Sequence, residues 1–169
     1  MGVDPGLRRT GYAVLAEAAL PSEARICEAG VIRLQAADGL PLRLLELDRC
    51  LDDLLTAHGP ALLVCEELYA HYKHPRTAIL MGHARGVILA AAARRGIEVI
   101  SVAATNVKKL LTGSGRADKR QIQRAVAATL GLPRVPEPHD VADAIAIALC
   151  GLRMRAGRAA VARSSGRRR

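Results

Sequence analysis

Four carboxylates stand where apolar runs end: Asp4 in MGVDPG, Glu66 in LLVCEEL, and Asp140 with Asp143 in HDVADAIAIAL. Asp140 and Asp143 lie three residues apart in the first turn of a predicted helix. Their side chains therefore point to nearly the same side, at the end where the helix dipole favours negative charge. Each of three segments supplies acids, and together they could hold two divalent ions about 3.5 to 4 Å apart, the arrangement used for in-line phosphodiester hydrolysis. An oxygen-only donor set points to Mg²⁺, with Mn²⁺ the alternative. Taken singly, most of these acids have ordinary readings. Asp140 is a natural N-cap, Glu66 a strand-end charge reaching water, and Asp-Pro-Gly common turn chemistry. Asp143 has no such role, because it is followed by AIAIAL.

Basic and aromatic residues cluster beside these acids. After Glu66, LYAHYKHPRTA places Tyr69, Tyr72, Lys73 and Arg76 in one loop, at the strand end where ligands of parallel sheets gather. Such a loop can stack on bases and hold phosphates. The segment KKLLTGSGRADKRQIQ adds Lys108, Lys109, Arg116, Lys119 and Arg120 around a glycine turn. It is either a solvated face or a phosphate-binding turn before a helix N-terminus. It lacks the GxxxxGK[ST] pattern of a P-loop.

The 169 residues carry a net charge of +9, and half are apolar. That length suits one domain with a sizeable core. The last seventeen residues hold seven of the 25 basic residues and no acid, leaving 18 basic against 16 acidic elsewhere. Residues 153–169 are therefore expected to be a basic, disordered tail. It serves either as a solubilising segment or as a nonspecific DNA-binding arm. The four cysteines show no CxxC spacing and sit mostly in apolar runs, which reads as buried, reduced thiols and argues against zinc. With no leader and no membrane-length apolar run, the expectation is a soluble cytoplasmic protein with no membrane partner.

The elements that must position the acids follow from periodicity. Three β-type runs open the chain (MGVD, TGYAVLAE and EAGVIRL), followed by a leucine-rich helix over 41–58 closed by Gly59-Pro60. ALLVCEEL and IEVISVA read as strands buried on both faces, separated by a helix over 76–95. Helices are expected near 106–111, 117–130 and 139–154. The order βββαβαβ followed by helices implies an α/β domain over 1–152, a mixed five-stranded sheet with helices on both faces, and the RNase H-like fold is one that satisfies it.

Five segments (GVDPGLRRTGYAV, VCEELY, GHARGV, NVKKLLTGSGRADKRQIQ and HDVADAIAIAL) resemble, in order and spacing, the RuvC family of bacterial Holliday-junction resolvases. The resemblance runs from Gly2 to about Gly151. It implies an RNase H-like endonuclease in which Asp4, Glu66, Asp140 and Asp143 bind metal and act in catalysis. It further implies that Tyr69 stacks on bases near the junction centre and that Lys108 and Lys119 contact DNA. Some relatives carry His where this chain has Asp140, which makes His139 a neighbour of the site. The implied partners are four-way junction DNA, a second copy of the chain docked through the GHARGV helix, and the branch-migration proteins RuvA and RuvB. The implied reaction is a pair of symmetric nicks leaving 5′-phosphate and 3′-hydroxyl ends. One metal activates the attacking water and the other stabilises the leaving oxygen. Two features depart from the family. Only three residues precede Asp4, so the first strand is expected to be short of ladder bonds, and the arginine tail inherits nothing. Two alternatives remain. One is a junction-binding module without cleavage. The other is a phosphotransferase of the actin and sugar-kinase type, whose chains are far longer and duplicated.

Overall fold

In a computed structural model, described for all residues except 17, 19, 36, 69–74 and 167–169, the chain forms one sheet with helices on both faces. The strands are β1 (Gly2–Asp4), β2 (Arg9–Leu15), β3 (Ile26–Arg33), β4 (Leu62–Glu66) and β5 (Glu98–Val102). Their spatial order is β3-β2-β1-β4-β5. β2 runs antiparallel to both of its neighbours, β1 and β3, while β4 and β5 run parallel to β1. The short β1 keeps its ladder, because the Met1 amine donates to Leu62 O (2.8 Å) and Val64 N–H donates to Met1 O (2.8 Å).

Side chains alternate across each strand, so β4 feeds two cores. Leu63 and Cys65 join Leu47, Leu51 and Leu55 of α1 (Leu40–His58) and Ala84, Ile88 and Ala92 of α2 (Pro75–Arg94). Leu62 and Val64 join the opposite core with α3 (Ala104–Thr112), α4 (Lys119–Leu130) and α5 (His139–Gly166). The leucines of α1 recur every four residues and so form one buried stripe. Gly59, in the left-handed conformation at φ 48°, ends that helix. At the far end of the sheet, Tyr12 donates to Glu28 Oε1 (2.7 Å) and His58 Nε2 lies 2.7 Å from Glu28 Oε2, tying β2, β3 and α1 together.

The α5 face is packed differently. A Cβ on Gly2 would lie 2.4 Å from Ala144 O, and one on Gly11 would lie 2.2 Å from Asp140 O. From the helix side, a Cβ on Gly151 would meet Val64 Cγ2 at 2.2 Å. Gly2 and Gly11 let the α5 backbone lie almost directly on β1 and β2, with Ala144 and Ala148 at the Gly2 contact, and Gly151 does the same for α5 against β4.

Two expectations change. The last helix, expected to stop near Met154, continues to Gly166 through most of the segment read as a disordered tail. Arg and Ala are strong helix formers, and no proline interrupts RMRAGRAAVAR. The cysteines, expected to be buried, divide: Cys65 and Cys150 are buried, whereas Cys27 is exposed on strand β3 and Cys50 is half-buried. Among the described residues, no helix is long and apolar enough to cross a membrane.

Candidate active site

Asp4 and Glu66 end two neighbouring parallel strands, one step beyond the Val3–Cys65 pair. Asp4 lies two residues after Gly2, and Glu66 two after Val64, so both side chains take the α5 face. The turn after Asp4 is held by Thr10, a fully buried side chain whose Oγ1 donates to Gly6 O (2.6 Å) and accepts from Gly6 N–H (3.3 Å). The close seat of α5 on Gly2 and Gly11 then delivers Asp140 and Asp143 to the same place.

Electrostatics record the convergence. The Asp4 carboxyl is pushed up to about 8, first by burial and then by repulsion from Glu66, Asp143 and Asp140, with Lys119 opposing. Glu66 is raised to about 7 by burial and by Asp143, against the pull of Lys108. Asp143 is also raised, chiefly by burial, while Lys119, His139 and Lys108 hold it down. Glu66, Asp143 and Lys108 line a cavity of about 30 Å³ closed by Val107, Ile122 and Ile147. A space of that size admits one water-sized occupant.

Asp140 is not the N-cap that sequence reasoning allowed. The helix starts at His139, and the first-turn bond runs from Val141 N–H to Pro138 O (3.0 Å). Asp140 therefore keeps its carboxylate free of a capping role. Its Oδ1 lies 3.3 Å from His139 Nε2, while Oδ2 is buried without a hydrogen bond and faces Arg9 at 3.9 Å. His139 is a neighbour of the cluster, as expected.

Lys108 on α3 and Lys119 on α4 flank the acids from the β4 side. Lys119 is placed by a capping box. Asp118 accepts from Gln121 N–H (2.8 Å), and Gln121 accepts in return from Asp118 N–H (2.8 Å), so Lys119 becomes the first helical residue. The glycine turn ahead of it is used structurally, with Gly113 left-handed at φ 77° to end α3. Arg76 is exposed on the first turn of α2. Tyr69 lies outside the described residues.

Two arginines escaped sequence reasoning. Arg9 faces Asp140. Arg85, in GHARGV, donates through Nε to Glu66 O (3.1 Å) and through its terminal nitrogen to Ser101 Oγ (2.6 Å). It thereby clamps the ends of β4 and β5 to α2. Both contacts join residues far apart in sequence, and spacing carries no signal for them.

Hard oxygen donors, raised carboxyl groups and the orphaned Oδ2 of Asp140 together fit a divalent cation. Among the described residues, no three His, Cys, Asp or Glu side chains are already drawn into one ligating set. The acids share the site at electrostatic range.

A three-antiparallel, two-parallel sheet with acids on its first and fourth strands and on its last helix defines an RNase H-like protein. The chain belongs to the RuvC family: the family model described as crossover junction endodeoxyribonuclease RuvC matches residues 1–151. The crossover junction endodeoxyribonuclease RuvC of Rhodopirellula baltica is 52% identical over 153 residues, covering 89% of this chain and 84% of that protein. A Caldicellulosiruptor saccharolyticus RuvC is 38% identical over 150 residues, covering 89% of each. A solved structure of T. thermophilus RuvC in complex with Holliday junction substrate superposes with a TM-score of 0.83 at 30% identity, covering 92% of this chain and 94% of that one.

Proposed function

We propose that this chain resolves four-way DNA junctions by metal-dependent phosphodiester hydrolysis, with Asp4, Glu66, Asp140 and Asp143 as the metal-binding and catalytic acids. The observation that carries the reading is the convergence of all four acids on one partly buried site, where their charges repel. Family membership and the junction bound to the T. thermophilus relative support the substrate.

Two Mg²⁺ ions, when bound, supply an activated water and charge stabilisation for the leaving 3′ oxygen. The protein's own part is to hold repelling carboxylates on rigid elements. β1 and β4 set Asp4 and Glu66 side by side, α5 brings Asp140 and Asp143 across, and Arg85 fixes the Glu66 backbone. Lys108 and Lys119 draw the scissile phosphate onto the acids by charge. Arg76 and Tyr69 contact the junction strands beyond that phosphate. Paired nicks on a two-fold substrate call for a C2 homodimer. Exposed Ile79 on α2 and Leu42 and Leu45 on α1 offer apolar surface for it. RuvA and RuvB are the proposed branch-migration partners, the cytoplasm the proposed compartment, and residues 1–152 the nuclease domain.

A labelled synthetic junction incubated with Mg²⁺ and, separately, with chelator tests the reading. Symmetric, ligatable nicks that need the metal are expected. A shifted band that is never nicked under either condition overturns the cleavage reading.

A further inference from the structure

Beside the carboxylates, the turn between β1 and β2 and the first turns of α1 and α2 enclose a cleft of about 890 Å³. Arg8, Arg9, Arg43 and Arg76 line it together with Gly6 and Thr77. Among the described residues, no acid lines it. Three arginines elsewhere in the fold are matched: Arg94 to Asp48, Arg95 to Asp52 and Arg85 to Glu66 O and Ser101. Among the described residues, Arg9 is the one of these four that faces a carboxylate, Asp140, at 3.9 Å, while Nε of Arg43 is buried with no hydrogen-bond partner.

Guanidinium groups crowded without counter-charge repel one another, and a buried unpaired donor carries a desolvation cost. An anion relieves both, and the forked donors of arginine match phosphate oxygens. The cleft is also large enough for a phosphate with its flanking sugar. Arg9 both lines the cleft and faces Asp140, so the cleft opens directly beside the acids. Lys108 lines the separate small cavity with Glu66 and Asp143, and Lys119 lies within electrostatic reach of Asp4 and Asp143.

From this placement we propose a second phosphate site, in which Arg8, Arg43 and Arg76 grip the DNA backbone phosphate next to the scissile one. The cleaved strand then runs from the lysines of α3 and α4, over the acids, and into the arginine cleft, with Arg9 at the boundary. The proposal rests on the junction-cleaving reading above and adds to it the path of the strand.

Neutral methylphosphonate linkages, placed one at a time beside the scissile position of a synthetic junction, test it with the unmodified protein. One neighbouring linkage is expected to weaken binding about tenfold when neutralised. In Arg8→Gln/Arg43→Gln protein the same linkage should make no further difference, and the slope of log K against log salt should be shallower by about 0.9. Arg25→Gln is the control. That arginine is exposed beside Ala16, at the opposite end of β2 from Arg9, and its loss should leave the linkage effect intact. If no neighbouring linkage matters while the unmodified protein still cuts, or if the linkage matters equally in the double variant, the arginine site is wrong and the nuclease reading stands. If the unmodified protein neither binds nor cuts a junction, both fall.

Discussion

On the α1/α2 face of the sheet, Leu47, Leu51, Leu55, Leu63 and Ile88 fill the gap between layers with bulky side chains; on the α5 face, Gly2, Gly11 and Gly151 leave almost no gap. The first face buries apolar area and stabilises the fold in proportion to it. The second trades part of that area for closeness. A helix held off the sheet by leucines would carry Asp140 and Asp143 away from Asp4. Precision at the site therefore comes from side chains that are absent, and stability from those that are large.

The sharpest way to break the functional face is Asp4→Asn. Single-turnover cleavage should fall by at least about 10²-fold as a charged ligand is lost. Junction binding should hold or improve, because a repelling charge is removed from a phosphate-binding surface. Loss of binding with cutting retained would contradict this assignment.

A matched pair tests the contrast between faces directly. Leu51→Ala should cost about 2–5 kcal/mol in denaturant unfolding while cleavage per folded molecule is unchanged. Gly11→Ala, whose methyl would meet Asp140 O at 2.2 Å, should cost less, about 1–3 kcal/mol, yet lower cleavage of the folded fraction. If both variants lose stability and activity in the same ratio, the two faces do not differ in the way described.

The pH dependence of stability separates the faces without mutation. The folded protein holds the Asp4 proton up to about pH 8, whereas an unperturbed aspartate releases it near 3.8, and Glu66 behaves alike between 4.5 and about 7. The folded state thus binds more protons across this window, so metal-free stability should fall as pH rises through it. Thermal melts with and without Mg²⁺ check this. The cation should recover most of the loss at pH 8, and Asp4→Asn should flatten the metal-free curve.

The smallest effect is expected at Lys119, exposed at the start of α4. Lys119→Ala should weaken junction binding severalfold and reduce the salt slope by about 1, as for one phosphate contact. An unchanged slope in binding titrations would remove Lys119 from the DNA surface.

Much of the site was legible beforehand because its acids interrupt apolar runs. Asp4, Glu66 and Asp143 stand out against GVD, LLVC and AIAIAL, and the strand-end position of the first two follows from the alternation around them. Asp140 was harder, since an acid at a helix start is usually a cap, and only the observed helix boundary and its orphaned Oδ2 decide otherwise. The continuation of α5 was missed because a run of arginines suggests solvated chain as readily as helix. Arg9, Arg43 and Arg85 gave no signal, since their meaning lies in contacts between distant segments.

The order of strands and helices, the acids available for metal binding and the basic character of the surface were written in residue types and periodicity, which are local properties of the chain. Which acids meet, how closely α5 lies on β1 and β2, and which arginines are left without counter-charge were settled only by tertiary packing. Those are distances between residues far apart in sequence, set by the side chains that the intervening glycines omit.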